Sequence, residues 1–554
     1  MNCARALSSN RTPLLVPAVA AIFFTAASLM AQQVVHLAIT QPGGMPGLPV
    51  MTGIKRVTNG VQVTWDGPSG YYQVYQKSNR LTAPWVALGK ATNLVRYAVI
   101  TKLYSNAFYR VSGPSPQYIG AQACAGCHDN ILTTELKTRH ARAFTNTTFV
   151  VANRTVGYLL PGGFISQAAT PQLAGVQCEN CHGPAAYHAA NPNDHTVIPR
   201  VEIAATVCGG CHTGPMHPTY EEWNTSGHAA VVPDALLAMS SSANNISSCG
   251  RCHSGSVRLA LINGQNPIAL TNDLDVAITC AVCHDPHSTN SNPAQLRNPI
   301  HSTNYFSLAT SDVFTNKYNA NTNINLCGQC HNARGAAWTD TSSAPHHSLQ
   351  YNFLLGSIGE LLGGSATFNP GTHAGLPSSA INSISGRFYL TNQCVSCHMQ
   401  NDSSGGHNHS FEVTTNTVCF NCHVTDPEFL EQYFLTPAIS NNVAVLLTAL
   451  NRWAAIKAPV ALRTNGAVIW EYTTPGGLIW QTNSFGFVTS WTQVDQVNFS
   501  GPNAAGQALI PNNIKKARFN LYLVLNDGSF GVHNPALALS LLNAAEIWME
   551  QALQ

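Results

Sequence analysis

Eight times the chain repeats one arrangement: cysteine, two variable residues, cysteine, histidine. The copies are Cys124, Cys127 and His128; Cys178, Cys181 and His182; Cys208, Cys211 and His212; and Cys249, Cys252 and His253. They continue with Cys280, Cys283 and His284; Cys327, Cys330 and His331; Cys394, Cys397 and His398; and Cys419, Cys422 and His423. Of the 17 cysteines, only Cys3 stands outside this pattern. Structural zinc needs two separated thiolate pairs and no histidine directly after each. A redox dithiol needs one pair at a helix start. Covalent haem attachment needs all three positions: two thiols add to the vinyl groups of one porphyrin edge, and the following imidazole swings under the iron. With 22 histidines in 554 residues, one after every pair is no accident. The pattern predicts eight covalently attached c-type haems, with the cysteines as anchors and the eight motif histidines as proximal iron ligands.

An iron so held has a sixth position to fill. A second histidine there gives a low-spin centre suited to electron transfer, whereas an open position admits substrate. Fourteen histidines lie outside the motifs. His140 and His228 share a Thr/Ser-x-His-Ala setting downstream of a motif, His188 ends "CENCHGPAAYH" and His287 ends "CHDPH". With these four as expected distal ligands go His301, one of the adjacent His346 and His347 (taken as His347), one of His407 and His409 (taken as His409), and His533. His36, His195 and His373 read as bystanders. His284 and His287 are too close in sequence to clamp one iron from both faces, since three residues cannot wrap a porphyrin. His287 is therefore expected to reach a different haem from the one His284 binds.

These side chains need elements to carry them. Arg5 and Arg11, the apolar run "PLLVPAVAAIFF" and the small residues after it predict a secretory signal over 1–31, cleaved after Ala31. No later segment is long and apolar enough to span a bilayer. Residues 37–113 hold no cysteine, and "GVQVTW", "YYQVYQ", "WVALG", "RYAVIT" and "AFYRV" read as short strands of a β-sandwich. Trp65, "YYQVYQ" and "FYRVSG" give that segment a resemblance to a fibronectin type III domain, which implies a spacer or adhesion module. Residues 117–425 carry the motifs at irregular intervals, with so few residues per haem that the porphyrins must form much of the core. Over 426–554, Val443, Leu446, Leu447, Leu450 and Trp453 recur at helical spacing ahead of Pro459. "AVIWEY", "LIWQT" and "FGFVTSW" suggest a small β insertion. Two final helices meet at an Asp-Gly turn, with Asn534 and Pro535 as cap and first turn. The expected fold is multidomain: a small N-terminal β-sandwich, then a mainly α, loop-rich multihaem core with a C-terminal helical hairpin.

"YIGAQACAGCHDNILTTELKTRHARA", "VQCENCHGPAAYH", "CHM" followed by "HNHSF", and "DGSFGVHNP" resemble the multihaem c-type cytochromes related to the tetrahaem carriers of nitrification. That superfamily also holds octahaem hydroxylamine oxidoreductase, octahaem tetrathionate reductase and ammonia-forming nitrite reductase. The resemblance covers about 117–425 and 512–550. It implies a mostly helical fold with many bis-histidine haems, and it matches His140, His188 and His533 to positions of distal ligands. Unlike the nitrite reductases, which place lysine at the active haem, this chain ends all eight motifs in histidine.

Only 9% of residues are charged and the formal balance is +2. Loss of the two signal arginines brings it near zero, and haem propionates take the oxidised holoprotein to about −8. That excludes nucleic acid as a natural partner. It favours cationic faces of redox proteins, quinol-linked membrane cytochromes or extracellular oxidised acceptors. The leading expectation is an exported periplasmic or cell-surface octahaem cytochrome that relays electrons, more an electron-transfer protein than an enzyme. An octahaem oxidoreductase acting on a small nitrogen or sulfur compound at one five-coordinate haem is the alternative. A filament-forming conduit is a third.

Overall fold

A computed structural model of the 554-residue chain describes residues 50–58, 60–66, 71–78, 86–92, 97–101, 107–112, 118–145, 163–195, 198–199, 201–215, 217–270, 273–288, 293–297, 326–367, 373, 393–400, 406–413, 419, 434–463, 468–474, 478–482, 488–493 and 501–554. The signal expected over 1–31, His36, His301, Cys422 and His423 lie outside them.

Six strands come first: β1 (Val50–Val57), β2 (Gly60–Asp66), β3 (Tyr71–Ser78), β4 (Val86–Thr92), β5 (Tyr97–Ile100) and β6 (Ala107–Ser112). They form two antiparallel three-stranded sheets, ordered β1-β2-β5 and β4-β3-β6. Alternation decides which faces meet. Val63 and Trp65 of β2, Tyr72 and Val74 of β3, and Ile100 of β5 all turn into one shared buried cluster.

From residue 118 to 413 the described chain is mainly short helices and loops. The motifs themselves form single helical turns, as in Cys178–His182, Cys280–Cys283 and Gln393–His398, or sit in longer helices, as in Ala121–Glu135 and Ala243–His253. Helical geometry suits the chemistry, because residues three apart lie on one face with both thiols toward the same partner. Glycine at the second motif position lets an aromatic ring close on the turn. A Cβ on Gly209 would come within 2.5 Å of Tyr220, and one on Gly328 within 2.8 Å of Tyr351.

The largest apolar cluster belongs to the C-terminal part. Helices Thr436–Ile456, Asn512–Asp527 and Pro535–Leu553 pack together, burying Val443, Leu446, Leu450 and Trp453 against Leu521, Val524, Leu541 and Leu542. Asn534 caps the last helix, its Oδ1 accepting from Leu537 N at 3.1 Å. Strands Leu478–Thr482 and Val488–Gln493 pair as an antiparallel ribbon. Of "AVIWEY", the described part is not a third strand. Val468–Tyr472 is irregular, and its carbonyls go to a side chain: Arg518 donates to Trp470 O at 2.7 Å and Glu471 O at 2.9 Å. That arginine is fully buried, stacks on Tyr472 and reaches Gln507, while Glu471 accepts from Tyr522 Oη at 2.7 Å.

Candidate haem-binding sites

The cysteines of the motifs come together across motifs. The Cys124 thiol is hydrogen-bonded to Cys178, Cys208 to Cys280, Cys252 to Cys330, and Cys327 to Cys394. The described motif cysteines are all free of disulfides. Burial pushes the Cys283 thiol up to about 12, helped by the nearby Cys327 and Cys330.

Other hydrogen bonds hold these turns in register. Glu179, inside the second motif, is 1% exposed. Its carboxylate accepts from Ile119 N at 2.9 Å, Gly120 N at 2.8 Å and Ala185 N at 2.8 Å. Gln177 Oε1 accepts from Ala121 N at 2.7 Å. An acid thus sits on the two N–H groups just ahead of the first motif's helix, where the helix dipole also favours it. Glu222, downstream of the third motif, accepts from the His409 backbone N at 2.9 Å, and Trp223 donates to Ile278 O at 3.0 Å.

The histidines pair with one regularity. His128 faces His188 with ring centres 6.5 Å apart, and His140 faces His212 at 6.0 Å. His182 faces His287 at 5.8 Å, His228 faces His331 at 6.1 Å, and His284 faces His409 at 6.3 Å. His398 faces His533 at 6.2 Å. His253 has two neighbours, His346 at 6.1 Å and His347 at 6.2 Å. Seven motif histidines are each matched with a histidine from outside the motifs. Two ring nitrogens, each about 2 Å from one metal, put the ring centres roughly 6 Å apart.

The second ring nitrogen is engaged in many of these residues. Nδ1 of His284 bonds Ala294 O at 2.6 Å, that of His398 bonds Phe411 O at 2.9 Å, and that of His409 bonds His407 O at 2.6 Å. His346 Nδ1 meets Ser348 Oγ at 2.8 Å, and His533 Nδ1 meets Asp527 Oδ1 at 2.7 Å. An N–H donated on one side fixes the ring and leaves the other nitrogen's lone pair for a metal. Nδ1 of His188 is buried with no hydrogen-bond partner. Burial favours the neutral form, the one that can ligate, at several of these rings, whereas at His533 burial is outweighed by the Asp527 carboxylate, which raises it. Burial lowers His212, His228 and His253 to about 4, with neighbouring imidazoles or Arg334 adding to it, and His346 to about 2. These donor sets fit haem c.

Other histidines fall away from this pattern. His195 is exposed. His217 is exposed, bonds Thr219 Oγ1 through Nδ1 at 3.0 Å, and packs edge-on against His212 with ring centres 4.4 Å apart. His407 is exposed, with Nδ1 on Met399 O at 3.0 Å, while His373 Nδ1 bonds Val532 O. Glu179, Glu222 and Asp527 escape the sequence reading, which weighs only residues able to ligate. In "CENCH" the only hint is an acid within the motif.

The family model described as "Cytochrome c554 and c-prime" matches residues 149–183, a segment that contains the second motif. The eight attachment motifs, the histidine pairs and this match together support a multihaem c-type cytochrome that binds haem c covalently and transfers electrons. Among solved structures, "Crystal Structure of Outer Cell Wall Cytochrome OcwA" is similar at 18% identity and a TM-score of 0.42, over 87% of this chain and 86% of that one. No curated protein matches the sequence. Among the described residues, no helix of this cytochrome is long and apolar enough to cross a membrane.

Proposed function

We propose that the protein is an exported octahaem cytochrome that relays electrons between redox partners through bis-histidine centres. The seven histidine pairs carry this reading, because each joins a motif imidazole to one from elsewhere in the chain at the separation of two axial ligands. Haem iron with two imidazole ligands cycles between ferric and ferrous without opening a coordination site, which suits rapid electron transfer. His346, half-buried with its Nδ1 fixed on Ser348, is the better-held partner for His253, and His347, expected from sequence, is exposed beside it. The eighth centre, on Cys419, Cys422 and His423, completes the count, with His301 proposed as its distal ligand.

The distal histidines stitch the motifs together. His188 follows the second motif and pairs with the first, and His287 follows the fifth and pairs with the second. His409 follows the seventh and pairs with the fifth. With the cysteine contacts, this links the first motif to the second, the third to the fifth, and the sixth to both the fourth and the seventh. Neighbours this close support electron hopping along these seven centres. The N-terminal strands are proposed as a fibronectin type III-like module that spaces or docks the cytochrome outside the cytoplasm. Its acceptors are redox proteins, quinol-linked membrane cytochromes or extracellular oxidants, and nucleic acid is not among them.

Rapid mixing with a reduced low-potential donor tests the relay. All the haem should change from its ferric to its ferrous spectrum and then return to the ferric one with a second redox protein, without added nitrite or hydroxylamine. A substantial fraction of haem that exchanges electrons only when such a small substrate is present would contradict it.

A further inference from the structure

Among the histidines whose Nδ1 partners are described, one is supported differently from the rest. His533 gives its Nδ1–H to a carboxylate, Asp527 Oδ1 at 2.7 Å. The corresponding nitrogens of His284, His398 and His409 meet neutral backbone carbonyls, and those of His331 and His346 meet a side-chain amide and a hydroxyl. Asp527 is an awkward place for a charge. It is 2% exposed and ends the Asn512–Asp527 helix, where the dipole disfavours an anion. Among the described residues the basic side chain that faces it is His533, whose Nδ1 lies 2.7 Å from Asp527 Oδ1. The turn that follows is shaped around this contact. Gly528 takes a left-handed conformation (φ 72°), Ser529 Oγ donates to Asp527 Oδ2 and accepts the His533 backbone N–H at 3.1 Å. Asn534 then starts the final helix and presents the His533 ring to His398.

Resting on the haem reading above, we propose that Asp527 is a positioning residue that makes His533 the most electron-donating distal ligand among the described pairs, so that the centre held by His398 and His533 has the lowest reduction potential. The warrant is electrostatic. A carboxylate draws the N–H proton toward itself and leaves the imidazole with part of an anion's charge, which stabilises ferric over ferrous iron. A neutral carbonyl does this far less. In a partly reduced molecule, this centre is the last to fill.

Optical and EPR redox titration of the full-length holoprotein tests the assignment, with haem content measured by intact mass. Asp527→Asn should raise the lowest-potential component toward the rest, leave the other components in place and keep every haem low-spin. Asp527→Glu should retain most of the wild-type value. Ser529→Ala removes the donor that competes for the carboxylate and should move the same component lower still. A full complement of low-spin haem with that component unmoved in Asp527→Asn overturns the inference and leaves the relay reading intact. Missing haem mass or high-spin iron at several centres in the wild type overturns the relay reading instead. Should Asp527→Asn fail to accumulate, the shift in Ser529→Ala decides: downward supports the assignment, and no shift overturns it.

Discussion

Removing the imidazole of His140, His188, His228, His287 or His409 takes one ring from its pair and leaves the motif histidine alone. Each alanine variant should keep its haem mass yet convert one low-spin ferric centre to high spin, seen as one new EPR signal per variant. No new signal would detach that residue from the iron. His346→Ala should differ, because His347 lies at the same distance from His253 and can take its place. Glu179 acts through hydrogen bonds. Glu179→Gln turns one acceptor toward N–H groups into a donor and should cost about 1–3 kcal/mol, read as a lower unfolding midpoint. Burial holds that carboxyl above its usual range despite three backbone N–H donors. The folded chain therefore binds the proton more tightly than the unfolded one, and stability falls as pH rises from the ordinary carboxylate range through the raised value, then levels. The wild-type minus Gln difference in midpoint should show that slope, and a flat difference would contradict it. The motif residues are legible because attachment chemistry fixes their spacing. The pairings are not, since His398 and His533 or His182 and His287 meet only once the chain has folded between them.

The C-terminal helices show where sequence periodicity serves and where it misleads. Val443, Leu446, Leu450 and Trp453 recur at helical spacing and all are buried in Thr436–Ile456. Val468, Trp470 and Tyr472 alternate as a strand would, and Trp470 and Tyr472 are indeed buried. Arg518 donates to the Trp470 and Glu471 carbonyls, Glu471 N to that of Val468 and Gly501 N to that of Tyr472, so among the described residues no neighbouring strand supplies a ladder there. A buried arginine offering several donors can replace a ladder, and nothing local in the sequence announces it. Arg518→Met should therefore be severe, about 3–5 kcal/mol, because it takes the neighbouring positive charge from the buried Glu471 carboxyl and the guanidinium donor from the Trp470 carbonyl. Adding Glu471→Gln should recover part of that loss in the double-variant cycle. Equal losses in the single and double variants would separate the two groups. Five of the six N-terminal strands were the more legible case, because aromatic and β-branched residues alternate between turn residues and Val63, Trp65, Tyr72 and Val74 turn inward together, whereas β1 (Val50–Val57), which carries Gly53, Lys55 and Arg56, was not read as a strand.

At the scale of the whole molecule, the charge balance and the haem count set the behaviour. A holoprotein near −8 should accept electrons from cationic donors at rates that fall with rising ionic strength. Rates that rise with salt would place the entry point on a basic patch instead. Haem, more than apolar side chains, is expected to fill the space among residues 118–413, where the described apolar clusters are small, as in Met239, Ile246, Val257 and Leu274. Protein expressed without haem maturation should accordingly lose its helical signal from that part and keep the Thr436–Leu553 core. The central claim is that scattered histidines complete the coordination of covalently held haems. Quantitative EPR of the fully oxidised protein, normalised to haem content, tests it most directly. At least seven low-spin ferric centres per chain are predicted, with at most one high-spin. Two or more high-spin centres would contradict the account.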